Sequence, residues 1–109
     1  MVQVNIGEEP QKSGVLPKDL ENFIEKIRKL ESLNLRGLMA MPPALPLEER
    51  RPYFQSMRKW FLNLGFTEAC HILSMGTSDD YPVALEEGAN LIRLGTALFG
   101  PRVLPLPKL

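Results

Sequence analysis

The sequence predicts an α/β fold with a parallel sheet, and three observations carry the prediction. Short apolar segments with two-residue alternation or continuous apolar character recur as strands at Val2 to Ile6, Leu35 to Met41, Cys70 to Met75 and Leu91 to Leu94. Between them lie segments whose apolar residues recur at three- and four-residue spacing, the period of a helix. Gly, Ser and Pro punctuate the junctions. The resulting order, βαβαβαβ, implies parallel strands joined by right-handed crossovers.

In the first strand Val2, Val4 and Ile6 alternate with Gln3 and Asn5. The loop Gly7 to Gly14 follows. Pro17 then suits the first turn of a helix, where its missing N–H would have no partner anyway. Leu20, Phe23, Ile24, Ile27 and Leu30 form the apolar face of that helix. Leu35 to Met41 is the second strand, closed by Pro42, Pro43 and Pro46. A second helix is expected from about Arg51, with Pro52 in its first turn, an apolar face of Phe54, Met57, Phe61, Leu62 and Leu64, and Gly65 at its end. After the third strand, Ser78 or Asp79 is the expected cap of a helix from Tyr81 to Glu87, stopped by Gly88. Thr96 to Phe99 reads as one further helical turn, and the proline-rich end as an irregular tail.

Bulk properties narrow the function. With 109 residues the chain has room for one domain and its core. Lys plus Arg and Asp plus Glu both number 13, so nothing attracts a nucleic acid at long range. No apolar run approaches the roughly 20 residues of a membrane span, and MVQVNIGEE has neither the basic start nor the apolar stretch of a signal peptide. Cys70 is a single cysteine and has no disulfide partner within the chain, which fits a cytoplasmic setting. Cys70 and His71 are adjacent, so on a strand they face opposite sides and share neither a metal nor a nucleophilic pair.

The richest segment is Leu73 to Gly100. Two strand-to-helix turns lie within it: Ser74, Gly76, Thr77 and Ser78 after the third strand, and Gly95 and Thr96 after the fourth. In open α/β sheets and (β/α)8 barrels, ligands bind at the C-terminal ends of strands. Glycine admits close backbone approach, and Ser and Thr hydroxyls donate to phosphate oxygens. Two such turns side by side suit one phosphate; each alone is also ordinary helix capping. Arg93 lies between Ile92 and Leu94 and points opposite to both. It can face inward to a ligand or pair with a carboxylate at a sheet edge.

The spacing S-M-G-x-S-D-D-Y, followed by A-x-x-x-G-A-x-x-x-R-x-G-T-x-x-F-G-x-R, resembles the YggS/PROSC family of pyridoxal 5'-phosphate (PLP) homeostasis proteins. VQVNIGEEPQKSG and LRGLMAMPP are similar to earlier strand ends of that family. The resemblance implies an alanine-racemase-like (β/α)8 TIM barrel, PLP held as a Schiff base, and buffering or delivery of the cofactor without turnover. It implies phosphate binding by Ser74, Ser78, Gly95 and Thr96, a turn lined by Met75 and Gly76, and Arg93 facing the pyridine nitrogen. Thr77 departs from the methionine usual there.

A full barrel of this type takes about 250 residues, so the expectation is its C-terminal half: about four βα units over residues 1–102, with 103–109 as an irregular tail. The segment that carries the family's Schiff-base lysine is absent. Lys12 matches a loop lysine of the family, and Lys18, Lys26, Lys29, Lys59 and Lys108 are expected on helix surfaces or in the tail. A half barrel leaves strand edges unpaired and an inner face uncovered, with Leu38, Ala40, Ile72 and Leu94 expected to be exposed. The expected partners are therefore PLP and either a separate N-terminal half or a second copy of the chain, the third alternative being that the chain is a fragment of a longer product. Two further functions stay open: an inert fragment that keeps only a phosphate cup, and a fragment of a PLP-dependent racemase or decarboxylase.

Overall fold

The computed structural model describes residues 1–101; the tail 103–109 lies outside the described residues. Three strands, β1 (Val2–Val4), β2 (Gly37–Ala40) and β3 (Ile72–Ser74), form a parallel sheet in that order. The crossovers carry α1 (Leu20–Arg28), entered through the 3₁₀ turn Pro17–Asp19, and α2 (Leu47–Asn63). Two short helices follow β3: α3 (Tyr81–Glu86) and α4 (Thr96–Phe99).

Register decides which residues form the core. Val2 pairs with Leu38 and Leu38 with Leu73, while Gln3, Met39 and Ser74 align one residue later. Alternation therefore puts Val2, Val4, Leu38, Ala40, Leu73 and Met75 on one face. All six are buried, in one cluster with Leu20 and Ile24 of α1 and Phe54, Met57 and Phe61 of α2. This corrects the expected exposure of Leu38 and Ala40: they lie beneath the helices, and the opposite face carries Gln3, Met39 and Ser74. Ile72 and Leu94 are half-buried rather than exposed.

The amphipathic faces are narrower than the spacing alone implies. Phe23 and Leu30 in the α1 region and Leu62 on α2 are exposed. Helix α2 also starts four residues before Arg51. Pro46 serves as its N-cap residue, its carbonyl accepting from Glu49 N–H at 2.9 Å, so Pro52 lies within the helix. The proline removes only the bond that would run to the Glu48 carbonyl. Arg51 stabilises the same turn by gripping the Glu48 carboxylate through Nε and Nη2 at 2.8 and 3.1 Å. At the other end, Phe66 N–H reaches back to the Phe61 carbonyl at 3.1 Å, closing the helix at Gly65.

The fourth strand is the principal departure from the expected elements. Leu91 to Leu94 forms no strand: a single bridge joins Ser74 to Leu91. The pairing that begins there slips, because Met75 N–H donates to the Leu91 carbonyl at 3.2 Å but Arg93 N–H donates to that of Gly76 at 2.9 Å. A side chain substitutes for the earlier rungs. Asn90 Oδ1 accepts from Leu73 N–H at 2.7 Å, and its Nδ2 donates to the His71 carbonyl at 2.9 Å. Replacing Asn90 with alanine is expected to cost about 1–2 kcal/mol, seen as a lower urea midpoint and faster hydrogen exchange at Leu73.

Two glycines are required by close backbone approach. A Cβ on Gly37, whose φ is +157°, would lie 1.8 Å from the Ile72 carbonyl oxygen. At Gly76, with φ of +105°, a Cβ would lie 2.8 Å from that of Ala84 on α3.

Candidate anion site at the strand ends

The residues singled out in the sequence separate into two groups at the C-terminal end of the sheet. The first centres on Ser78. Its Oγ accepts hydrogen bonds from Gly95 N–H at 3.1 Å and Ala97 N–H at 2.9 Å. Two backbone donors from the second turn thus converge on one oxygen supplied by the first. The hydroxyl keeps its own proton for a further acceptor. Nothing lies within 4 Å of where a Cβ on Gly95 would stand, and Thr96 beside it is exposed.

The second group centres on Arg93. Its guanidinium donates to Ser74 Oγ through Nη1 and to the Ala40 carbonyl through Nη2, the latter at 3.2 Å. Arg93 therefore lies across the face opposite the helices, and Ser74 beneath it is fully buried. Its partners are a hydroxyl and a carbonyl rather than a carboxylate, unlike the edge ion pair that the sequence also allowed. Burial pushes the guanidinium pKa down and the charge of Asp80 partly offsets this. Arginine remains a cation in such surroundings, so the face carries a half-buried positive charge.

The remaining candidates fall outside both groups. The Met75 side chain is fully buried in the core on the helix face, so only its backbone belongs to the turn. Gly76 is buried against α3, and its part is to let that helix approach. Lys12 is engaged elsewhere: its Nζ lies 2.7 Å from Glu9 Oε2 and donates to the Pro42 carbonyl at 3.0 Å.

Sequence reasoning missed the Ala97 N–H and the support of the first turn. Neither Ser78 nor Asp79 makes the expected capping bond. Asp80, 2% exposed, accepts from Thr77 N–H at 2.7 Å through Oδ1 and from Arg50 Nη1 at 3.0 Å through Oδ2. A signal for Arg50 was present: it precedes Phe54 by four residues and so extends the buried stripe of α2 with a charge.

Comparison with known proteins agrees with this architecture. The family profile of the alanine racemase N-terminal domain matches residues 1–103. A pyridoxal phosphate homeostasis protein of Aquifex aeolicus is 42% identical over 105 residues, covering 94% of this chain and 46% of the relative. One from Pseudomonas aeruginosa is 43% identical over 102 residues, covering 93% and 44%. Among solved structures, PipY of Synechococcus elongatus without PLP superposes with a TM-score of 0.80 at 36% identity, covering 91% of this chain and 48% of PipY. PipY with PLP bound gives 0.72 at 32% identity, covering 90% and 49%. The chain thus spans about half the length of the relatives it matches. The profile covering almost the whole chain, the parallel sheet and the agreement with PipY together establish that the chain belongs to the alanine racemase N-terminal domain family, alongside the pyridoxal phosphate homeostasis proteins.

Proposed function

We propose that this chain supplies the phosphate-holding half of a PLP-binding barrel that buffers or delivers the cofactor without catalytic turnover. The observation that carries the proposal is the convergence of Gly95 and Ala97 N–H on one oxygen, with the half-buried cation Arg93 two residues before Gly95. The residues fit the cofactor at both ends. The Ser78 hydroxyl, polarised by the Gly95 and Ala97 N–H groups that its oxygen accepts, suits a phosphate together with the open side of Gly95 and the Thr96 hydroxyl, with Ser74 assigned to the same site. Met75 and Gly76 hold the turn from its core side. Arg93 would face the pyridine nitrogen and, being a permanent donor, would keep that nitrogen unprotonated. When bound, PLP supplies a reactive aldehyde and a ring whose electron-withdrawing power depends on that protonation. An unprotonated ring suits a carrier better than a carbanion catalyst, which supports the non-enzymatic reading over the racemase or decarboxylase alternative.

The same proposal includes a partner. The relatives are about twice as long, and the remaining βα units of such a barrel would cover the free side of β1. Met1, Phe23 and Leu33 are exposed there and line an apolar cavity of about 400 Å³ with Val2, Val15 and Leu35. No helix among the described residues is long and apolar enough to cross a membrane.

Equilibrium dialysis of the chain against PLP, with and without excess inorganic phosphate and followed by borohydride trapping, tests the reading. The expected result is saturable uptake, displaced by phosphate, with no lysine adduct. Uptake insensitive to phosphate would overturn the assignment of Ser78, Gly95 and Thr96. Uptake only after a complementary N-terminal half is added would place the site across both halves.

A further inference from the structure

The turn that carries Ser78 is held by a part-buried ion pair that the proposed function does not use. Asp80 Oδ1 accepts from the Thr77 N–H at 2.7 Å and from the Thr77 hydroxyl at 3.3 Å. In return the Thr77 carbonyl accepts from Asp80 N–H at 3.2 Å and Tyr81 N–H at 2.9 Å. The four-residue loop is thereby closed from both ends, with Ser78 inside it. Asp80 Oδ2 is held by Arg50, whose side chain is only 17% exposed and whose Nε donates to the Leu45 carbonyl at 2.5 Å. The clamp thus runs from the loop before α2, through the half-buried Arg50 and the buried Asp80, to the turn before α3.

Two physical consequences meet at Ser78. Removing the Asp80 carboxylate frees Thr77 N–H, and with it the torsions that aim Ser78 Oγ at Gly95 and Ala97. A bare carboxylate two residues from Ser78 would also repel an incoming anion in this weakly screened setting; the Arg50 guanidinium cancels that charge. We propose that Asp80 and Arg50 are positioning residues for the anion site, fixing Ser78 in the one turn geometry that meets both N–H donors while keeping the site free of negative charge. The inference rests on the phosphate reading given above and extends it to residues that touch no ligand.

The test uses the whole chain as wild type, Asp80→Ala, and the double variant Asp80→Asn with Arg50→Gln. PLP is compared with pyridoxal, which lacks the phosphate, and hydrogen exchange is followed at Gly95 and Ala97 without ligand. Asp80→Ala is expected to lose about tenfold or more of the preference for PLP over pyridoxal and to exchange faster at both amides. Exchange at Leu38 and Met39 of β2 should change little. The double variant keeps an acceptor for Thr77 and a neutral pair, so it should retain the preference to within about threefold.

Asp80→Ala that melts earlier yet keeps the PLP preference and slow exchange at Gly95 and Ala97 would overturn the inference: the pair would then serve stability alone. So would a folded double variant that loses the preference, which also decides the matter should Asp80→Ala not fold. A wild-type chain that does not distinguish PLP from pyridoxal would overturn the phosphate reading itself. The exchange comparison still decides whether Asp80 holds Ser78 against its two donors.

Discussion

Alanine at Gly37 is expected to destabilise the chain by about 3 kcal/mol or more, enough to leave much of it unfolded at 37 °C. The added Cβ would lie 1.8 Å from the Ile72 carbonyl oxygen and 2.8 Å from the Ile72 nitrogen, both backbone atoms of the neighbouring strand. A flexible side chain could turn aside; a paired strand cannot. Separating β2 from β3 at this point would disturb the register that aligns Met39 with Ser74, and through Ser74 the seat of Arg93. Positive φ adds its own cost for any residue with a Cβ. Far-ultraviolet circular dichroism on heating should show a fall in midpoint of ten degrees or so. A midpoint within two degrees of wild type would mean that the sheet opens at this point at little cost.

Phe61→Ala is expected to cost about 3–5 kcal/mol. Phe61 is fully buried and stacks on Phe66 with ring centroids 5.3 Å apart. Phe66 meets the His71 ring edge-on at 5.1 Å and carries the Arg28 guanidinium 5.0 Å above its centroid. Truncation therefore removes the ring's own burial and one side of a four-residue aromatic and cationic stack that joins α1, α2 and the approach to β3. Leu62→Ala, one position along the helix and 48% exposed, should change stability by only about 0.5 kcal/mol. Urea denaturation of both variants measures the difference. Equal losses would contradict the assignment of the buried face of α2.

Much of this architecture is readable from local pattern. Alternation at Val2 to Ile6 and the apolar runs at Leu35 to Met41 and Cys70 to Met75 mark β1, β2 and β3, because strand periodicity survives whatever surrounds it. The paired Ser–Gly and Gly–Thr turns likewise advertise the strand ends at which Ser78 and Gly95 meet. Other features depend on partners distant in sequence. Pro52 looks like a helix start until Pro46 supplies an earlier one and Arg51 ties Glu48 into the first turn. Leu91 to Leu94 has strand composition but gains only one bridge, since the Asn90 amide takes backbone groups that a strand would have used. Arg50 carries a visible anomaly, a charge on an apolar stripe, yet its partner Asp80 lies 30 residues away, beyond the reach of any periodicity. The interior parity of β2 was misread for a related reason. Period two divides Leu38 and Ala40 from Met39, but only the helices above the sheet decide which set lies inside.

Both outer margins of the sheet are partly plugged by the chain's own atoms. Along β1, Val15 gives its N–H to the Gln3 carbonyl at 2.9 Å and takes that of Asn5 at 2.8 Å. Along β3, the Asn90 side chain and the bridge at Leu91 occupy the equivalent places. Open sheet borders ordinarily recruit strands from other molecules and seed fibres. Here a stranger's strand finds the Gln3 carbonyl, the Asn5 N–H and the Leu73 N–H already taken. Growth by border-to-border addition is thus opposed at these rungs without spending charged residues on the strands themselves, while the apolar flank beside β1 stays available to a covering partner.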